Sequence, residues 1–225
     1  LNQFPVHGFL YTFSYDVNGN LTAINGPMGS TAQFSYNGYG QILTHTDALG
    51  HTTTYTYDQQ GNLTATTNPL GNSVTLQYNA LGDITATVTP TGARQQYQYD
   101  PLRRITSAVD PLNNRTLLQY DFRGNITTMI DPLRHQIRTT YDALSRPVTT
   151  IDARQAVSRV SYDAKGNTVR AEDALHHAVR MVYNDRNQVI QAVDALGDST
   201  RYNYDAAGNL IAAVMPNGQE VSYTY

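Results

Sequence analysis

The sequence predicts an all-β fold, an antiparallel meander of β-hairpins built from about ten 21-residue repeats and curled into a wall. Three observations predict it. Tyrosine returns at one constant interval, at Tyr15, Tyr36, Tyr57, Tyr78, Tyr99, Tyr120, Tyr141, Tyr162, Tyr183, Tyr204 and Tyr225. Most of these tyrosines open the same turn phrase, as in Tyr57-Asp58-Gln59-Gln60-Gly61-Asn62-Leu63. Between the turns, segments such as Thr53-Thr54-Tyr55-Thr56-Tyr57 alternate with period two, the spacing at which side chains of a strand share a face.

With the period tyrosine as position 0, position +1 is Asp or Asn in every full repeat and +4 is Gly in seven of ten. Asp or Asn at the first place of a turn and Gly at the fourth is the signature of a type I turn closed by a left-handed residue. Asp16 with Gly19, Asp58 with Gly61 and Asp205 with Gly208 are three copies. This three-residue hairpin loop with a bulge places each tyrosine opposite position +6, which is Leu21, Ile42, Leu63 and Ile84 in the first four repeats.

A second turn lies in segments such as Asn68-Pro69-Leu70-Gly71 and Asp110-Pro111-Leu112-Asn113. Position +14 is Gly in six repeats, and Arg134, Gln155 and His176 stand there in others. Those three tolerate a positive φ poorly, so their turns are expected to differ. Simple alternation on the return strand puts +6, +8 and +10 on the tyrosine face. An odd period then requires a second loop of four residues, different in type from the first, if that face is to stay continuous. About twenty strands at roughly 4.8 Å each make a sheet too wide to stay open, and curling is expected.

The whole chain reads as one array, with full repeats from Tyr15 to Thr224 and a partial repeat over 1–14, where Gly8 occupies the second-turn place. Leu1 is not a start methionine and Tyr225 opens a further repeat, so a fragment of a longer array is expected. Cysteine is absent, no run of 18 apolar residues could form a membrane-spanning helix, and the net charge of −3 argues against nucleic acid as a partner. Charge is unevenly placed, because residues 1–93 contain no Lys or Arg.

No residue set reads as catalytic or metal-binding, and no cofactor is expected. The row of Asp at +1 resembles an acid or calcium site, yet Asn37, Asn79 and Asn184 stand in the same place, as turn chemistry allows. His51, His135, His176 and His177 fall at second turns without metal-ligand spacing. The tyrosine ladder reads as a structural lining; the alternative is a surface that stacks on sugars, as in a cell-surface adhesin. Arg138, Arg159, Arg180 and Arg201 share position −3 and form a candidate outer docking strip for an anionic surface.

The phrase Tyr-Asp-x-x-Gly-Asn-Leu, with a following Asp-Pro-Leu and the same constant period, resembles the YD repeats of the Rhs family along the whole chain. That resemblance implies a spiralling β-shell, of which this chain would be one part. In toxin members such a shell encloses a C-terminal toxic polypeptide until delivery. The implied partners are the remainder of the shell, the enclosed toxin and a secretion-system component. The implied location is delivery or secretion from a bacterial cell, or the cell surface on the adhesin reading. The self-cleaving segment usual near the end of such shells has no counterpart here, so no catalytic residue is implied.

Overall fold

The computed structural model describes residues 2–6 and 9–225, with side chains from residue 10 onward; Gly8 lies outside the described residues. Among the described residues there are 22 strands and no helix. Two compact units divide the chain, Leu1–Arg115 and Thr116–Tyr225. Within each unit, strands pair antiparallel with their neighbours in sequence, and among the described residues no pair closes the sheet. The curling expected from strand number is not seen as closure within either unit.

The first turn forms as expected. In the copy after Tyr57, the Gly61 amide donates to the Asp58 carbonyl at 3.1 Å and the Asp58 amide donates to the Asn62 carbonyl at 3.0 Å. The Asp58 carboxylate accepts the amides of Gln60 and Asn62 through one oxygen, which is why a short acceptor side chain stands first in the turn. Tyr57 pairs with Leu63, as the loop length predicts.

The second turn corrects the sequence expectation. The Gly71 amide donates to the Asn68 carbonyl and the Asn68 amide to the Asn72 carbonyl, both at 2.9 Å. This is again a three-residue loop, not a four-residue one, so the two turns share one geometry. The exception is the earliest second turn, where Gly26 pairs with Gly29 around Pro27 and Met28.

The odd period is absorbed elsewhere. The register slips between Thr56 and Tyr57, so that Thr56 pairs with Ala65 while Tyr57 pairs with Leu63, leaving Thr64 as an extra residue. Ala65 then pairs with Thr75. Residues 56, 65 and 75 therefore lie side by side, and crossing two strands carries the chain from an even-numbered residue to an odd-numbered one. Two three-residue hairpins without the slip would advance it by an even number, and successive tyrosines would point to opposite faces. The same slip recurs in the second unit, where residues 140, 149 and 159 lie side by side.

The slip also reverses two expected orientations. Position +8 pairs with −1 and position +10 with −3, as in Gln98 with Ser107 and Gln96 with Val109. Positions +8 and +10 thus share the face opposite the tyrosines, whereas +9 faces with them. Position +8 holds the small residues Ala86, Ser107, Thr128 and Ala212, four of the seven buried residues among those described, covered by longer side chains at −1 and −3 of the flanking strands. The Ser107 hydroxyl is buried and has no hydrogen-bond partner. Ala86 fills the same place one repeat earlier, so Ser107→Ala is expected to raise stability by about 1 kcal/mol, read as a higher urea midpoint. A lower midpoint would show that the hydroxyl is satisfied.

Every +4 and +14 position from Gly19 to Gly218 has positive φ, including seven that are not glycine: Arg103, Asn113, Arg134, Ser145, Gln155, His176 and Asn187. The turns at Arg134, Gln155 and His176 therefore do not differ, against expectation; the closing backbone bonds hold these residues left-handed. The double variant Arg134→Gly with Gln155→Gly is expected to gain about 1–2 kcal/mol, because glycine relieves the left-handed strain by more than it adds chain entropy. An unchanged or lower melting temperature would contradict that balance.

Candidate functional site

The tyrosine row is tied down by its hydroxyls. In the first unit, Tyr36 donates to the Leu21 carbonyl, Tyr57 to Ile42, Tyr78 to Leu63 and Tyr99 to Ile84, at 2.7–2.9 Å. In the second, Tyr141 donates to Ile126, Tyr162 to Pro147, Tyr183 to Thr168 and Tyr204 to Val189, at 2.9–3.0 Å. Each acceptor is position +6 of the preceding repeat, beside the bulge, where the ladder leaves a carbonyl free. Phenylalanine would fill the space but leave that carbonyl unmet, which is the physical reason for tyrosine. Among the ladder tyrosines from Tyr15 to Tyr204, Tyr15 is the most exposed, at 49%. Tyr36 through Tyr204 are half-buried, and burial pushes the Tyr78 and Tyr99 phenols up. The rest of this face carries −2 and +9 residues such as Phe34 stacked on His45, with ring centroids 5.0 Å apart.

Position +5 was not singled out from sequence, and it organises the turn row. Its side chain binds position +1 of its own turn: Asn20 with Asp16, Asn62 with Asp58, Arg104 with Asp100, Arg146 with Asp142. Where +1 is Asn, the partner becomes an acceptor, as Gln41 for Asn37, Asp83 for Asn79 and Gln188 for Asn184. The signal was present in the sequence as this complementary pairing, at a fixed offset within each turn. The same side chain also reaches the next turn, through Gln41 to the Gly61 carbonyl, Asn125 to Ser145, Asn167 to Asn187 and Gln188 to the Gly208 carbonyl. Arg146 further covers the next ladder ring, its guanidinium carbon 4.5 Å from the Tyr162 centroid.

These bonds hold the turn carboxylates charged. The Asn62 side chain, and with it the backbone amides of the turn, keeps Asp58 below the usual carboxylate range; Asn20 does so for Asp16 and Asn209 for Asp205. Asp83 is the one buried carboxylate among the described residues, lowered by Arg103 and then Asn79, with Arg103 Nη2 2.6 Å from Oδ1. Every partner is a turn group, so the row is explained as hairpin closure. His51, His135 and His177 lie with Nδ1 2.8–3.0 Å from Asp47, Asp131 and Asp173, and His176 lies against Glu172. Among the described residues, no group of three or more His, Cys, Asp or Glu is placed to hold a metal ion.

Arg138, Arg159, Arg180 and Arg201 are all exposed and lie on the face opposite the tyrosines. Each pairs with a position +10 residue: Ile151, Glu172, Val193 and Val214. Their stems cover those residues while the guanidinium groups stay in water. Arg159 lies 3.6 Å from Glu172, and Arg138 donates to Gln136.

Residues 2–150 match the teneurin YD-shell family, and residues 183–220 match the Rhs repeat. The chain belongs to the YD-shell family. Its repeated hairpins are the units of a shell-type structural protein. Solved structures similar to it include TcdB2-TccC3 without the hypervariable C-terminal region, at 16% identity over 96% of this chain and 15% of that one, with a TM-score of 0.48. TcdB2-TccC3-Cdc42 is 16% identical over 92% of this chain and 14% of that one, with a TM-score of 0.45. A Tc holotoxin pore of Photorhabdus luminescens is 14% identical over 96% of this chain and 14% of that one, with a TM-score of 0.45. The YD-shell chain thus spans about one seventh of the length of those chains. No curated protein matches it.

Proposed function

We propose that this chain is a stretch of the wall of a larger β-shell, with the tyrosine face turned inward toward an enclosed toxic polypeptide. The observation that carries the proposal is a YD-shell sheet one layer thick. Its tyrosine side is broad and amphipathic, yet among the described residues only Ala32, Ala86, Ala212 and Ala213 form a buried apolar core. So much half-covered apolar surface is what a container presents to its contents. On this reading the wall performs no chemistry: it positions backbone and rings, excludes other proteins, and is delivered from a bacterial cell with its cargo. The partners are the rest of the shell, the cargo and a component of the secretion machinery.

The adhesin reading has less support, because the ladder hydroxyls are committed to backbone carbonyls and the rings are half-buried. The deciding experiment is limited proteolysis of the complete protein that contains this array. The proposal expects the polypeptide encoded beyond the repeats to resist protease until the shell is denatured. Digestion at the rate of the free polypeptide would overturn it. Binding to a glycan array that disappears in a Tyr57→Ala, Tyr99→Ala, Tyr120→Ala variant would establish the adhesin instead.

A further inference from the structure

Seams between neighbouring strands are of two kinds. A seam closed by a first turn carries four residue pairs or more, as from Gln96 with Val109 to Tyr99 with Ile105. A seam closed by a regular second turn carries three, as from Ala65 with Thr75 to Thr67 with Ser73. The open end of a three-pair seam lies at the first-turn edge, between two consecutive first turns. With fewer ladder bonds to break, such a seam is the place where a sheet of this kind parts.

Side chains bridge that open end. Gln41 donates to the Gly61 carbonyl at 2.8 Å, and Gln188 to the Gly208 carbonyl at 3.0 Å. Arg103 donates to the Asp83 carboxylate at 2.7 Å. Asn125 donates to the Ser145 hydroxyl at 3.1 Å, and Asn167 to the Asn187 side-chain oxygen at 3.0 Å. Arg146 reaches the Asp163 carbonyl at 3.3 Å. The chemistry differs from turn to turn, yet each bond joins one first turn to the next. Chance contacts between exposed polar groups would fall on both rows of turns, which share one backbone geometry, and the second row has long side chains at Arg134, Arg154 and Gln155. Among the described residues, however, no side chain bonds one second turn to the next. Second-turn side chains that do bond stay in or beside their own turn, as His135 with Asp131 and His176 with Glu172.

One three-pair seam between two first turns of the same unit lacks the bridge. It joins the strands Leu63–Thr67 and Ser73–Tyr78. Among the described residues, no side chain joins the turn after Tyr57 to the turn after Tyr78; the ladder hydroxyl of Tyr78, on the Leu63 carbonyl, is the tie that remains. Asn62 stands at +5 as Asn125 and Asn167 do, but the residue facing it is Gly82. A Cβ at position 82 would lie 3.5 Å from Asn62 Oδ1.

We propose that the side chains joining consecutive first turns are fasteners for the three-pair seams, and that the unfastened seam between Leu63–Thr67 and Ser73–Tyr78 is where the first unit opens. Each bond is exposed or half-exposed and weak by itself, but it acts at the one end of the seam that no backbone turn closes. The device belongs to the wall alone and holds whatever the shell contains.

The test is amide hydrogen exchange of the 225-residue chain, read residue by residue as protection factors. Residues 65–67 and 73–75 should be about tenfold less protected than residues 86–88 and 94–96, the next three-pair seam, which Arg103 fastens. Gly82→Asn reproduces the pairing of Asn167 with Asn187 and should raise the protection of 65–67 and 73–75 about tenfold. Gly71→Asn makes the same demand for a positive φ in the second row and should give no such gain. Lys165→Met with Asn187→Gly removes the bonds from the turn after Tyr162 to the turn after Tyr183. Protection should then fall at residues 170–172 and 178–180 and stay unchanged at 149–151 and 157–159, although glycine suits the left-handed place better than asparagine. Equal protection of the two seams in the parent chain, no gain from Gly82→Asn, or an equal gain from Gly71→Asn would each overturn the proposal.

Discussion

Replacing Tyr36, Tyr57 and Tyr78 together by phenylalanine is expected to lower the stability of the first unit by about 3 kcal/mol, roughly 1 kcal/mol for each hydrogen bond lost. The rings and their contacts stay, so the change isolates the hydroxyls that reach the carbonyls of Leu21, Ile42 and Leu63. These bonds link each repeat to the one before it. Stability of a repeat array is the sum of weak units and strong interfaces, so loss at consecutive interfaces should also broaden the transition. Urea denaturation followed by circular dichroism reads both effects. A triple variant within experimental error of the parent would show that water replaces the hydroxyls at no loss, and that tyrosine is chosen for its ring alone.

Acid should unfold the array. Asp16, Asp58, Asp121, Asp163 and Asp205 are held below the usual carboxylate range first by the amide side chain at position +5, Asp83 by Arg103, and Glu172 by His176 and then Arg170. A carboxyl whose folded value is depressed contributes stability that is complete above its unfolded value, about 3.9 for Asp. That stability is lost as pH falls through the lower folded value. With such carboxylates in nearly every first turn, the losses coincide. Their contribution to the melting temperature should be flat between about pH 7 and pH 5 and fall steeply below about pH 4. A melting temperature that does not move between about pH 5 and pH 2 would mean that the turns do not depend on charged aspartate.

Much of this fold was legible because its instructions are local and repeated. The tyrosine period, the Asp-to-Gly first turn and the pairing of Tyr57 with Leu63 follow from turn chemistry alone. The second loop was misjudged because the odd parity of the repeat was assigned to loop length. The chain instead satisfies it with one extra residue at Thr64, a residue type that stands throughout these strands and so does not mark the bulge. The facing of positions +8 and +10 failed for the same reason. Left-handed Arg134 and Gln155 contradict intrinsic preference, because two backbone bonds per loop outweigh the strain of one residue. The clasp at +5 was readable in principle, since donors stand opposite Asp and acceptors opposite Asn. It required comparing two positions across repeats rather than reading either one.

The odd advance across each pair of strands, from Thr56 through Ala65 to Thr75, sets a rule for how such a chain can change in length. Adding or removing a single residue within a strand shifts every later residue by one place, and the next tyrosine turns from one face to the other. Adding or removing one whole repeat moves the chain by one complete lattice step. Each remaining hydroxyl meets the same carbonyl and each clasp the same turn. The array can therefore be lengthened or shortened by whole repeats without redesigning any neighbour, so that the extent of the sheet becomes a matter of copy number.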